Sequence, residues 1–105
     1  MALYNIDLNL SDTNIAKLSF GDPASNVDIV RFVNDIAVTD DVMDSLNGNP
    51  LFINGPASLP IAFVLAHKWA HLFPSIWIYD PKLGGYVCCI SHEAGAEVGD
   101  FACLS

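Results

Sequence analysis

The chain is 105 residues long, enough for one hydrophobic core and too short for two. Apolar residues make up 52% and charged residues 15%, which excludes an intrinsically disordered chain. A formal net charge of −8 argues against nonspecific binding to long nucleic acids, which requires a basic surface.

In chain order, Tyr4, Ile6, Leu8 and Leu10 alternate with polar residues, the pattern of a half-buried strand. No basic n-region accompanies it, so no secretory leader is expected. Ser11–Asn14 supplies a turn and Ile15–Phe20 a second strand. After Gly21-Asp22-Pro23, the run Val27, Ile29, Val30, Phe32, Val33, Ile36 and Ala37 recurs at helical spacing, with Ser25 or Asn26 as N-cap. Val42–Leu46 fits either a turn or a short irregular helix. Leu51–Asn54 is a short apolar strand, and Gly55–Pro60 a turn that opens a helix capped by Ser58. That helix is expected to run to about Phe73, where Pro74 stops it, with Ala62, Leu65, Ala66, Trp69 and Phe73 inward. Ser75–Tyr79 and Tyr86–Ser91 are strands around the turn Asp80–Gly85, and Val98–Leu104 is a candidate edge strand.

The resulting order, ββαβαββ, predicts an α+β fold. Leu51–Tyr79 forms a βαβ unit whose two strands run parallel, and helices cover mainly one sheet face. A ferredoxin-like or related sandwich is the expected architecture. The longest apolar stretch, Pro60–Phe73, is broken by His67, Lys68 and His71 and falls short of the roughly 20 residues that span a bilayer. A soluble, cytoplasmic protein without membrane contact is expected. Its three cysteines, with Cys88 beside Cys89 and no Cys-x-x-Cys spacing, are expected to be buried and reduced.

Charge is uneven. Met1–Pro50 carries eight carboxylates against Lys17 and Arg31, a net of −6. Leu51–Ser105 carries four against Lys68 and Lys82, a net of −2, and holds all three histidines. An anionic ligand is better tolerated in the second half, where a divalent cation can offset the remaining repulsion.

His67, Lys68 and His71 fall on one face at the end of the predicted helix. Cations there favour the helix dipole by roughly 0.3–1 kcal/mol each, which is a sufficient structural reason for them. His-x-x-x-His can also chelate a metal, although Lys68 replaces the glutamate that zinc proteases place after the first histidine. Asp80 ends a parallel strand, a frequent ligand location, but Asp-Pro is also an ordinary turn opener. Gly55–Ser58 opens a helix with free amides that suit an anion. Ser91-His92 reads equally as a polar turn. Because the two parallel strands end on one edge, Gly55, Pro56, Ser58, Asp80 and Lys82 are expected there. His71 and His92 are expected at the opposite edge, about 17 Å away along the strand. A site using both His71 and Asp80 would therefore be shared between molecules.

The run Asn54-Gly55-Pro56, Ala66-His67-Lys68, His71, Tyr79-Asp80-Pro81-Lys82-Leu83-Gly84-Gly85 and Ser91-His92 resembles the third CRISPR ring-nuclease family. The likeness covers the whole domain loosely and Asn54–His92 specifically. It implies a CRISPR-associated hydrolase, a manganese-dependent phosphodiesterase that opens cyclic tetra-adenylate in type III antiviral defence. It further implies dimers that stack head to tail as a tetramer around the ring. By position, His71 matches the family's catalytic histidine and Asp80 its strand-end aspartate, either of them also a candidate metal ligand. Lys82 stands where the family commonly has arginine, and lysine lacks the bidentate fork of that guanidinium. His67, Ser91 and His92 are further candidate ligand contacts, with the Gly55–Ser58 amides. Trp69 and Trp77 are read as core rather than as adenine-stacking platforms. Two other readings are a manganese-dependent exonuclease that removes adenines from RNA 3′ ends, and a sensor module that binds cyclic oligoadenylate without turnover.

Overall fold

The computed structural model describes residues 1–104. Its sheet comprises β1 (Tyr4–Asn9), β2 (Asn14–Phe20), β3 (Leu51–Asn54), β4 (Ser75–Asp80), β5 (Gly85–Ser91) and β6 (Phe101–Ala102), ordered in space as in sequence. The helices are α1 (Asn26–Ile36), the one-turn α2 (Asp40–Asp44) and α3 (Leu59–Trp69). The fold is α+β, consistent in its layers with a ferredoxin-like or related sandwich. Strand β3 pairs parallel with β4 through Leu51↔Ile76 and Phe52↔Trp77, the expected βαβ unit. A second parallel pair, β2 with β3, encloses α1 and α2. The remaining pairs, β1–β2, β4–β5 and β5–β6, are antiparallel.

Local chemistry sets the helix starts. Ser25 accepts from the Asp28 N–H, Thr39 from that of Val42, and Ser58 from that of Ile61, each satisfying an orphan donor of the first turn. The principal core lies between helices and sheet, where Ile29, Val33, Ile61, Leu65 and Trp69 meet Tyr4, Leu51 and Ile76. Trp69 is fully buried, and its indole N–H donates to the Ala37 carbonyl at 2.8 Å, tying α3 to the end of α1. A buried corner joins β2 to the approach of β3, where the Asn14 amide donates to Asn47 Oδ1 (2.8 Å) and to the Asn49 carbonyl (3.0 Å).

Several expectations need correction. Helix α3 ends at Trp69, not Phe73; Leu72 N–H bonds the Trp69 carbonyl in a tighter turn, and Phe73 is buried from that turn. Pro74 accounts for this, because it forces the preceding residue out of the helical region and clashes with the carbonyl four residues back. The inward stripe is Ile61, Leu65 and Trp69, while Ala62 is exposed and Ala66 half-buried. Only Cys88 is buried; Cys89 and Cys103 are exposed, and all three are free.

The opposite sheet face is not bare. Trp77, Tyr86 and Cys88 form a second, smaller core with Phe52, Tyr79, Ala96 and Ala102, covered by the chain after β5. A register shift between Ile76 and Trp77 sets Trp77 opposite Cys88, leaving Cys89 on the other face. The last strand spans two residues rather than Val98–Leu104. Among the described residues no helix is long and apolar enough to cross a membrane.

Candidate functional site

Sequence-predicted site residues fall at the two ends of β4. At its start, Ser75 pairs with Ser91, and the His92 N–H donates to the Pro74 carbonyl at 2.8 Å. His71 lies in the turn after α3, exposed rather than helical. Its ring stacks on that of His92, with centroids 4.9 Å apart and planes at 25°. Both rings are open to solvent, as is His67 in the last turn of α3. The Ser91 hydroxyl is turned to the chain, donating to the Ala96 carbonyl at 2.5 Å. It is a brace for the following loop.

At the other end of β4, Asp80 pairs with Gly85. Its Oδ1 accepts from the Lys82 N–H (2.9 Å) and the Leu83 N–H (3.2 Å), and its carbonyl accepts from Gly84 N–H (2.9 Å). Gly84 closes the turn at φ 69°, a conformation that favours glycine. Asp80 thus holds the hairpin, with one carboxylate oxygen committed to the turn. Lys82 is exposed, and the ion pair among the described residues is elsewhere, Arg31 with Asp28 at 4.0 Å.

The loop from β3 to α3 is held from below. Gly55 has φ 126°, and a Cβ there would lie 2.1 Å from the Leu18 carbonyl oxygen, so the loop crosses β2 at a distance only glycine permits. The Pro56 carbonyl accepts from the Tyr4 hydroxyl, and burial pushes the Tyr4 phenol up to about 12. The Ser58 hydroxyl accepts from Ile61 N–H and donates to Asn26 Oδ1 at 3.0 Å. It is occupied with capping.

Sequence reasoning missed an apolar cleft of about 360 Å³ between α3 and the β4–β5 hairpin, lined by Gly55, Ala62, Phe63, Ala66, Ile78 and Cys89. Small alanines on α3 leave this space open, and Phe63, 74% exposed, stands at its side. A shallower depression along Tyr79 and Val87 extends from it to Asp80 and Lys82. Although Cys89 is exposed as a residue, partial desolvation of its sulfur at the cleft pushes the thiol up. Neither tryptophan offers a free face to a base. Trp69 is fully buried, and Trp77 stacks on Phe52 with centroids 5.7 Å apart.

Ser75 and Glu93 also escaped notice. Ser75 is fully buried; its hydroxyl donates to Glu93 Oε2 at 2.6 Å and accepts from the Trp77 indole at 2.9 Å. Nothing in local spacing signals this contact, because Glu93 lies beyond the end of β5.

Within one protomer His71 and Asp80 lie at opposite ends of a six-residue strand, about 17 Å apart at about 3.3 Å per residue. Among the described residues no three His, Cys, Asp or Glu side chains gather as a metal-binding group. The His71 imidazole and the Asp80 carboxylate of one chain therefore stand too far apart to hold the same ion. No family model matches the chain, and no curated protein matches it either.

Proposed function

We propose that the chain is a cytoplasmic phosphodiesterase of the CRISPR ring-nuclease kind, linearising cyclic tetra-adenylate to end type III antiviral signalling. The observation that carries this reading is the division of polar groups along β4. The His71–His92 pair stands at one end, and the Asp80–Lys82 turn at the other. Two copies meeting end to end would set imidazoles of one against the carboxylate and ammonium of the other. A cyclic ligand with repeated phosphates suits such a repeated, two-copy site. The chain's acidity, with four Lys and Arg in all, favours a small ring over a long strand.

In the proposed mechanism Asp80 orients the attacking ribose hydroxyl or water through its carboxylate. Asp80 takes the nucleophile's proton as the new P–O bond forms, the P–O bond to the neighbouring ribose oxygen breaks, and protonated His71 passes its proton to that leaving oxygen. Lys82 and the backbone amides of Gly55–Ser58 hold the phosphate oxygens as their charge grows. Manganese is proposed at the shared site only, where Asp80 would hold it; His71 of the other copy would be either the acid described above or a second ligand to the ion. When bound it supplies charge stabilisation at the phosphate. The dimer is proposed to use the cleft beside Phe63, whose lining residues include no carboxylate, so two chains of net −8 meet there with least repulsion.

Conversion of cyclic tetra-adenylate to linear products, followed by mass spectrometry with and without manganese, tests the reading. Mixing His71→Ala with Asp80→Ala should restore part of the activity, since some mixed assemblies regain an intact pair. Indifference to cyclic adenylates of every size overturns the assignment, and tight binding without turnover would turn it into a sensor. Release of adenylate from RNA 3′ ends in place of ring opening would select the exonuclease.

A further inference from the structure

We propose that Glu93 is a positioning residue for His92: through the buried hydroxyl of Ser75, it sets the imidazole that stacks on His71. The part this plays in turnover rests on the ring-nuclease reading; the positioning itself does not.

The argument starts from how the chain leaves β5. His92 is fixed by one backbone bond, its N–H to the Pro74 carbonyl at 2.8 Å. The next residue supplies a second attachment, since Glu93 Oε2 accepts from the Ser75 hydroxyl at 2.6 Å. Residues 92 and 93 are thus clipped to residues 74 and 75, and Pro74 lies in the same turn that carries His71. Both histidines are referred to one short stretch of backbone.

Ser75 is suited to this role. It is 0% exposed, and its oxygen is held from behind by the Trp77 indole N–H at 2.9 Å, so its own proton has one place to go. Trp77 is itself fixed in the second core against Phe52 and Cys88. A hydroxyl with both directions specified, donating to a carboxylate, forms a short charge-assisted bond of defined direction. The Ser91 hydroxyl adds a brace on the far side through the Glu93 and Ala96 carbonyls, at 3.2 and 2.5 Å. The rings of His71 and His92 are exposed and have no packed wall to orient them. Their face-to-face arrangement at 4.9 Å therefore depends on the backbone beneath, which the Glu93–Ser75 bond fixes.

The test compares Glu93→Ala, Glu93→Gln and Ser75→Ala by NMR, reading the cross-peaks between the carbon-bound ring protons of His71 and His92. The Trp77–Phe52 ring contact serves as an internal measure of folding. Both alanine variants are expected to lose the histidine contact and to keep the tryptophan contact. Glu93→Gln, whose amide oxygen still accepts from Ser75, is expected to keep both. In turnover of cyclic tetra-adenylate, Glu93→Ala should lower kcat on the order of 10- to 100-fold with KM within about threefold, and Glu93→Gln should recover it. Persistence of the histidine contact in Glu93→Ala overturns the proposal. So does its loss together with the Trp77–Phe52 contact in both alanine variants, which would mean a merely structural role. An unsubstituted chain without turnover sinks the ring-nuclease reading, while the ring contacts still decide the role of Glu93.

Discussion

The imidazoles of His71 and His92 lie face to face, 4.9 Å between centroids, although one follows a helix and the other a strand. The antiparallel return of β5 beside β4 brings them together at the start of β4. Both rings are exposed, so truncation removes little packing. His71→Ala is expected to leave thermal unfolding within about 0.5 kcal/mol of the parent. It should lower kcat for cyclic tetra-adenylate on the order of 10²- to 10⁴-fold, the usual contribution of a general acid or base. Paired calorimetry and product assays check both.

Asp80 carries a structural duty that can be separated from its proposed chemistry. Asp80→Ala removes the acceptor of the Lys82 and Leu83 N–H groups and should cost about 1 kcal/mol in hairpin stability. Asp80→Asn keeps a carbonyl oxygen for the same two bonds and should unfold close to the parent. Both should lose ring opening, because the charge is gone in each. Retained activity in Asp80→Asn would remove the carboxylate from the mechanism.

Gly55 is where the β3–α3 loop passes over β2. Gly55→Ala would place Cβ against the Leu18 carbonyl and hold a side chain at φ 126°. The backbone must then move, and destabilisation of about 1–3 kcal/mol is expected from denaturant melts. Pro56 and Ser58 would shift with it, so affinity for the ring should fall as well.

Tyr4 links pH to stability beneath that loop. Its phenol is raised from 10.0 to about 12 by burial, so the protonated form is favoured by folding. Its contribution is complete below pH 10 and declines as pH rises from about 10 to 12, by roughly 2–3 kcal/mol in all. Tyr4→Phe should be less stable at neutral pH by about 1 kcal/mol, having left the Pro56 carbonyl without its donor. It should also lose the alkaline slope between those two values, as measured by urea melts at stepped pH.

The secondary elements were legible where one face of a segment is apolar at a fixed period. Strands β1 to β5, helix α1 and the capped start of α3 follow from such local patterns, and Ser25 and Ser58 cap as expected. The end of α3 was less so. An apolar run continues through Phe73, and period alone does not show that Phe73 reaches the core from a turn. The second core was hidden because its covering layer contributes Ala96 and Ala102, small residues in a stretch without periodicity. Glu93 was hidden for the same reason, since its partner Ser75 is remote in the chain.

The sequence by itself determined the order of β1 to β5 with α1 and α3 among them, the parallel β3–β4 pair, and hence that Asp80 and His71 belong to opposite ends of one strand. Strand direction and pleat are local properties, set by hydrophobic period and turn chemistry, and they propagate along each segment. The tertiary structure alone decided that His71 meets His92, that Ser75 holds Glu93, and that a cleft remains open beside Phe63. Those depend on inter-strand register, on where Pro74 ends a helix, and on how well alanines fill a layer, none of which a one-dimensional pattern contains.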